Sequence, residues 1–290
     1  MTIGVLSPGA MGAALGRAWQ RGGARVVTTV AGRSARTQQL AQGLEWLDSF
    51  EAVIDAADVV VSVVPPARAL TNAEQIAQAA QRLAVRPVVA DLNAISLPTL
   101  DKVSAVLTDA GCEVVDGSIS GNPPQPSGGA DTRIYLSGKR ADLLAGLDNA
   151  GLRTIVAGPD AGQASAIKMC TAAVYKGITA LMIQSLRTAD CHGVAEFVGR
   201  DWADMLGPLG ADAPTRIAVA VAKSDRFPDE MREISATQDA AGRGAVLYEE
   251  IARVFEDSYG TGLGDLNPEQ AEEVTELARV VEALRSPRVT

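Results

Sequence analysis

A helical segment past the middle of the chain carries side chains suited to acid–base chemistry. Residues 165–192 have helical character with no interior proline. At 100° per residue, one face of this helix is polar and consists of Lys168, Thr171, Tyr175 and Thr179. The rest of its surface is Ala, Ile, Val, Leu and Met, and Lys176 falls outside the polar stripe. Burial on such a helix disfavours the charged form of an amine, so we predict Lys168 as a general acid/base.

Tyr175 lies two turns along the same helix and is the second candidate for catalysis. Its hydroxyl could donate a second proton or orient a substrate oxygen. The alternative interpretation is a lysine whose amine reaches solvent beside a packed tyrosine.

The first residues of the chain predict an anion-binding turn between a strand and a helix. The apolar run 3–6 is typical of a buried strand, a Ser-Pro-Gly turn follows, and helical character begins at residue 10. Backbone N–H groups at such a helix start favour a pyrophosphate. The turn departs from the G-x-G-x-x-G pattern by a serine at its first glycine. We predict that the cofactor is bound here by Ser7, Pro8, Gly9, Ala10, Met11 and Gly12. The alternative is an ordinary strand–helix turn.

The residues after the second predicted strand indicate which dinucleotide fits. Strand 24–30 is followed by Arg33, Ser34 and Arg36 instead of an acidic residue that would bind the ribose hydroxyls of NAD. Guanidinium groups suit a 2′-phosphate, so we predict NADP(H) as the cofactor. The alternative is that both arginines only solvate a loop. The carboxyl ends of later strands should also face the cofactor, which adds Val64, Pro65 and Asn93 to the cofactor site.

Composition limits the class of protein. The 290 residues are 47% hydrophobic, as in an α/β protein with a sizeable core. The net charge of −9 argues against a general nucleic-acid binder. Three cysteines without metal spacing and a lone histidine predict no metal site, and we expect buried free thiols in a reducing cytoplasm. No signal peptide and no membrane span are expected.

Strands and helices alternate up to about residue 158, which predicts an α/β doubly wound sheet. Further strands are predicted at 58–64, 87–92, 113–116, 134–137 and 154–156. Helices between them are predicted at 49–57, 70–83 and from about 98. The polar segment 117–130 is predicted as a binding loop. No strand pattern follows, and helices are predicted at 195–205, 214–222, 228–241, 245–257 and 268–284. We therefore predict a Rossmann-type domain over 1–160 and an all-helical domain over 161–290.

Three motifs together resemble the 6-phosphogluconate dehydrogenase-like group of β-hydroxyacid dehydrogenases. The turn 7–12 is similar to its G-x-G-x-M-G, residues 116–121 to its D-x-x-x-S-G-G, and Lys168-Met169 to the opening of its long helix. The resemblance implies hydride transfer with NAD or NADP, Lys168 as general acid/base, and Ser120 and Gly121 at the substrate carboxylate. It also implies a homodimer formed through the helical domain and an active site in the cleft between domains.

Departures from the family pattern bear on the substrate. The family usually has an asparagine one turn after the lysine, where this chain has Ala172, preceded by Thr171. We therefore do not expect 6-phosphogluconate to be the small-molecule substrate. Asn122 could restore an amide, and we assign it and Thr171 to the substrate site. Imine reductases are similar to this family and typically replace the lysine. The presence of Lys168 in this chain favours hydroxy-acid or carbonyl chemistry. The alternatives are an imine reductase and a non-catalytic NADP-sensing protein.

Overall fold

The computed structural model describes residues 1–125, 132–149 and 151–288 and divides the chain into two compact units, Met1–Met169 and Cys170–Thr290. The first unit is built on an eight-stranded sheet of order β3-β2-β1-β4-β5-β6-β7-β8. The strands are β1 (Thr2–Val5), β2 (Arg25–Thr28), β3 (Glu45–Trp46), β4 (Val59–Ser62), β5 (Val88–Asp91), β6 (Glu113–Ser120), β7 (Thr132–Ser137) and β8 (Leu152–Gly158). β1 to β6 are parallel, β7 is antiparallel to β6, and β8 is parallel to β7. The predicted Rossmann-type doubly wound sheet is confirmed.

Helices cover both faces of this sheet. They are α1 (Ala10–Arg21), α2 (Ala35–Leu40), α3 (Phe50–Ala56), α4 (Ala69–Leu83) and α5 (Leu97–Asp109). Alternate residues of the central strands therefore enter two separate apolar clusters. Ile3 and Val59 pack with Trp19 of α1, whereas Val60 packs with Ile76 of α4. Burial on both sheet faces explains why the central strands are uninterrupted apolar runs in the sequence.

The second unit is helical in the residues that the structure describes. A long helix, α6 (Gln163–Cys191), starts in the first unit and continues into the second. The others are α7 (Ala195–Leu206), α8 (Pro208–Ala211), α9 (Ala213–Ala222), α10 (Phe227–Ala240), α11 (Val246–Tyr259), α12 (Pro268–Glu272) and α13 (Leu277–Arg285). Among the described residues, α6 alone is long and apolar enough to cross a membrane by length and composition, and 44% of its most apolar window is buried in the protein.

Two predicted boundaries are wrong for reasons beyond local sequence. β6 does not end at residue 116 but runs to Ser120, because residues 117–120 pair antiparallel with β7. The predicted loop 117–130 is therefore partly strand, and its residues 126–130 lie outside the described residues. The predicted helix 268–284 is broken between α12 and α13, where Val274 is buried and its carbonyl accepts the Thr215 hydroxyl at 2.8 Å.

The expectation of buried thiols is correct only for Cys112. All three cysteines are free, but Cys170 and Cys191 are exposed on α6. Helical periodicity near these positions does not tell which face of a long helix other helices cover.

Candidate active site

The predicted dinucleotide turn forms the start of α1. Gly9 is the N-cap residue, with extended backbone and no side-chain hydrogen bond to the first N–H groups of the helix. A Cβ at Gly12 would lie 2.3 Å from the Ser7 carbonyl oxygen, so only glycine fits there. A Cβ at Gly9 would meet nothing within 4 Å. The turn thus combines a tight backbone contact at Gly12 with open space at the uncapped helix start, which fits a phosphate group.

The arginine segment lies beside the carboxyl end of β1. The Arg33 Nη2 atom donates to the Leu6 carbonyl at 3.1 Å, which places its guanidinium next to the turn. The Ser34 hydroxyl accepts from the Thr37 N–H at 3.3 Å and caps α2. Arg36 is exposed in the first turn of the same helix. Sequence patterns identified the arginines but missed α2, and Ser34 has this structural role in addition to its predicted one.

Asn93 holds the chain after β4. Its Oδ1 atom accepts the Val64 N–H at 2.6 Å, and its Nδ2 atom donates to Ser62 and to Asp91, each at 2.8 Å. The side chain is 2% exposed. Its polar atoms are thus used within the protein, and Asn93 would influence a cofactor through the segment Val64–Pro65 that it holds. Pro65 itself is exposed.

Two buried carboxylates occupy neighbouring positions on β5 and β6. Asp91 and Asp116 are register partners. Burial raises the pKa of Asp91 to about 7; hydrogen bonds from Asn93 lower it, and the charge of Asp116 adds a smaller rise. Asp116 belongs to one of the three motifs, and its residue type and spacing predicted no role for it.

Asp116 caps the start of α6 from the sheet. Its Oδ2 atom accepts the N–H groups of Gly162, Ala164 and Ser165 at 2.9, 3.0 and 3.1 Å. The Ser137 hydroxyl donates to the same oxygen at 2.7 Å, and the Ser165 hydroxyl donates to Oδ1 at 2.5 Å. Four of these five hydrogen bonds fix the start of α6 to β6, and the fifth, from Ser137, joins β7 to β6.

Lys168 points at the end of β6. Its Nζ atom donates to the Ile119 carbonyl at 2.8 Å, and the side chain is half-buried. The Ser118 hydroxyl donates to the Ala164 carbonyl at 2.7 Å, so α6 is held along this strand. Ser120, which follows Ile119 directly, is half-buried. The structure thus brings the predicted acid/base next to the first predicted substrate residue.

The following residues of the predicted substrate segment are open to solvent. Gly121 has a φ of 111°, and both it and Asn122 are exposed. The Asn122 carbonyl accepts the Thr132 hydroxyl at 2.6 Å, which anchors the segment to β7.

The remaining predicted residues of the polar stripe lie in the second unit. Thr171 and Tyr175 are exposed. Thr179 is buried and donates to the Tyr175 carbonyl at 3.0 Å, so this end of the polar stripe is covered by the protein. The Arg216 guanidinium lies over the Tyr175 ring, 4.8 Å from the centroid. Arg216 is a residue that the sequence did not indicate, because α6 and α9 are far apart along the chain.

The buried lysine of α6 is Lys176. Its ammonium pairs with Glu230 of α10 and lies 3.9 Å from the centroid of the Phe227 ring. Lys168 and Lys176 therefore differ in surroundings: one meets a backbone carbonyl at a strand end, and the other is paired within a helical core. No group of three His, Cys, Asp or Glu residues that could hold a metal ion occurs in the described parts of the chain.

Comparisons with known proteins agree with this arrangement of turn, strand and helix. The sequence model of the protein family described as the NAD binding domain of 6-phosphogluconate dehydrogenase matches residues 2–143. The similarity to that family therefore extends over residues 2–143. A domain of unknown function matches residues 189–258, within the helical part. The family predicted from the three motifs is thereby confirmed.

Similar proteins include several without an assigned activity. An uncharacterized 28.5 kDa protein of Methanothermus fervidus is 26% identical over 173 residues, which are 59% of this chain and 64% of that protein. The solved structure of a conserved protein of unknown function, described as similar to 3-hydroxyacid dehydrogenases, is 29% identical with a TM-score of 0.64. That comparison covers 88% of this chain and 96% of the other.

Characterised enzymes share the fold at lower identity. A 3-hydroxyisobutyrate dehydrogenase of Mycobacterium tuberculosis, solved with L-serine, is 18% identical over 98% of this chain and 99% of its own, with a TM-score of 0.66. An imine reductase from Pseudomonas sp. is 18% identical over 88% of this chain and 98% of its own, with a TM-score of 0.52.

Proposed function

We propose that this protein is an NADP(H)-dependent oxidoreductase that interconverts a small 3-hydroxy acid and its carbonyl counterpart by hydride transfer. The observation that carries the proposal is the contact of the Lys168 amine with the Ile119 carbonyl at 2.8 Å, beside Ser120. The nicotinamide supplies or accepts the hydride when bound. Lys168 donates a proton to the substrate oxygen during reduction and takes it back during oxidation.

Substrate contacts are proposed for residues on both sides of the lysine. Ser120, Gly121 and Asn122 would bind the carboxylate end of the substrate through backbone and side-chain donors. Thr171 and Tyr175 are proposed as a substrate contact and as a second proton donor or anchor. Gly121, Asn122, Thr171 and Tyr175 lie at exposed positions, which a small molecule can reach.

The choice of NADP rests on Arg33, whose guanidinium lies beside the dinucleotide turn. A fork of N–H donors at this point favours a 2′-phosphate. Replacing Arg33 or Arg36 by alanine should weaken NADPH binding about 10-fold to 100-fold, the loss of one charge-assisted hydrogen bond, and leave NADH binding nearly unchanged. Arg21→Ala, an exposed arginine at the end of α1, is the matched control. Equal loss for both cofactors would remove the NADP preference.

The lysine role is tested by turnover. Lys168→Ala should fold, bind NADPH and lose turnover with 3-hydroxy acids and their semialdehydes, followed by NADPH absorbance. Lys102→Ala removes a different lysine of the first unit, which is exposed, and should keep full activity. Full activity of Lys168→Ala would exclude the lysine from the mechanism.

Reduction of a C=N bond is the second candidate function, because Ala172 stands where the family usually has an asparagine. A panel of cyclic imines assayed beside the hydroxy acids separates the two activities. Tight cofactor binding without turnover on either panel would instead favour an NADP-sensing protein.

We also propose a cytoplasmic homodimer formed through the helical part. Large apolar side chains are uncovered on α6, α7 and α11 and include Val174, Leu181, Phe197, Met205, Val246 and Leu247. We expect these exposed apolar side chains to be covered in a protein interface. Sedimentation equilibrium should give twice the chain mass, and a monomer at all concentrations would contradict this part of the proposal.

A further inference from the structure

The cap of α6 comes from an unusual place. Helices α2, α3 and α5 are capped by the serine that directly precedes each of them: Ser34, Ser49 and Ser96. The first N–H groups of α6 are instead bound by Asp116, a fully buried residue of β6 that lies 46 positions before Gly162. A local cap fixes a helix to its own turn, whereas this one fixes α6 to a strand of the sheet.

The same strand also meets the lysine. Asp116 and Ile119 lie three residues apart on β6, and Ser165 and Lys168 lie three residues apart on α6. The two contacts, Asp116 with Ser165 and Ile119 with Lys168, therefore form successive links between the same two elements. A displacement of the first link moves the second, because both belong to continuous secondary structure.

We propose that Asp116 is a positioning residue, whose carboxylate fixes the start of α6 and thereby holds the Lys168 amine at the end of β6. The inference rests on the proposed function in assigning the amine a role in proton transfer. The negative charge of Asp116 also matches the positive end of the α6 dipole. Asparagine has the same shape but loses the charge and one of the two acceptor oxygens, so it cannot accept all five hydrogen bonds.

The test compares the reactivity of Lys168 in the wild-type protein and Asp116→Asn. The full-length protein is treated with an amine-acylating reagent, and peptide mass spectrometry gives the rate at Lys168 relative to the exposed Lys102 and Lys139. We expect faster acylation of Lys168 in the variant, because the amine leaves the Ile119 carbonyl. With a turned-over substrate, kcat should fall by up to about 100-fold, the cost of a misplaced reacting group, while the NADPH Kd stays unchanged.

Ser49→Ala is the matched control, since it removes the cap of α3 in the same unit. It should lower the melting temperature and leave both Lys168 acylation and kcat at wild-type values. An unchanged acylation rate in folded Asp116→Asn would overturn the proposal and leave Asp116 a purely structural cap.

If Asp116→Asn does not fold, Ser165→Ala gives the decisive result, because it removes one hydroxyl donor and keeps the backbone bonds to Asp116. Faster acylation of Lys168 supports the proposal, and an unchanged rate overturns it. Acylation needs no substrate, so absence of turnover in the wild-type protein would count against the proposed function alone.

Discussion

Single residues of the dinucleotide turn have separable structural and binding roles. Gly12→Ala places a Cβ against the Ser7 carbonyl oxygen at 2.3 Å, so we expect a lower melting temperature and loss of NADPH binding together. Gly9→Ala meets no protein atom within 4 Å, so the melting temperature should stay unchanged while the added methyl group displaces the phosphates. Thermal melts and NADPH fluorescence titrations measure both effects. NADPH binding by Gly9→Ala at wild-type affinity would argue against phosphates at this helix start.

Asp91 gives the stability of the fold a pH dependence. Burial raises its pKa from 3.8 to about 7, so between these values the folded protein binds the proton more tightly than the unfolded chain. This contribution to the free energy of unfolding is fully present below the lower value and is lost as the pH rises through 7.

Asp91→Asn removes this titration. Urea unfolding at pH 5 and pH 8 should therefore show the variant gaining stability relative to the wild-type protein at the higher pH. At pH 5 the variant should be the less stable of the two, because an amide accepts fewer hydrogen bonds from Asn93 than a carboxyl group does. A constant difference between the two proteins from pH 5 to pH 8 would show that Asp91 titrates normally.

Among the secondary-structure elements, α6 depends on a buried ion pair in its second half. Lys176→Met leaves the Glu230 carboxylate buried, with Arg226 at 3.9 Å as its other cation. We expect a loss of about 3–5 kcal/mol in the free energy of unfolding, because the buried carboxylate loses its nearest cation. Changing Glu230 to Met as well should recover much of this loss. Urea unfolding of both single variants and the double variant tests the coupling, and additive losses would show that the pair is not coupled.

The elements predicted well from sequence are those fixed by local pattern. Apolar runs such as 58–64 locate the central strands, because parallel strands are buried on both faces. The predicted β6 was too short. Its last residues, which include Gly117 and Ser118, pair with β7, a strand that follows later in the chain. Helical periodicity placed Thr179 beside Lys168, but only the packing of other helices decides which of them is accessible.

At the scale of the whole molecule, the candidate site also combines residues that local sequence predicts with contacts that it does not predict. Lys168 was predicted from residue type and spacing and Ser120 from the family resemblance, and the Lys168 amine binds the carbonyl of Ile119, directly before Ser120. Asp116 contacts the start of α6 and Asn93 contacts Val64, and such contacts between distant segments cannot be read from spacing along the chain. The second unit gave helices from its pattern but little information on a substrate, and its matching family has no assigned function.

The sheet of the first unit ends in β8, whose outer edge pairs with no other strand among the described residues. Asp148 accepts the Thr154 N–H there, but Ile155 and Val156 are 37% and 50% exposed. Exposed apolar edge strands promote aggregation when a protein is concentrated or refolded. Val156→Lys should remain clear in light-scattering measurements at concentrations where the wild-type protein turns turbid, with an unaltered melting curve. Equal turbidity of the variant and the wild-type protein would show that self-association occurs through another surface. A charged residue at this sheet edge would then not improve solubility.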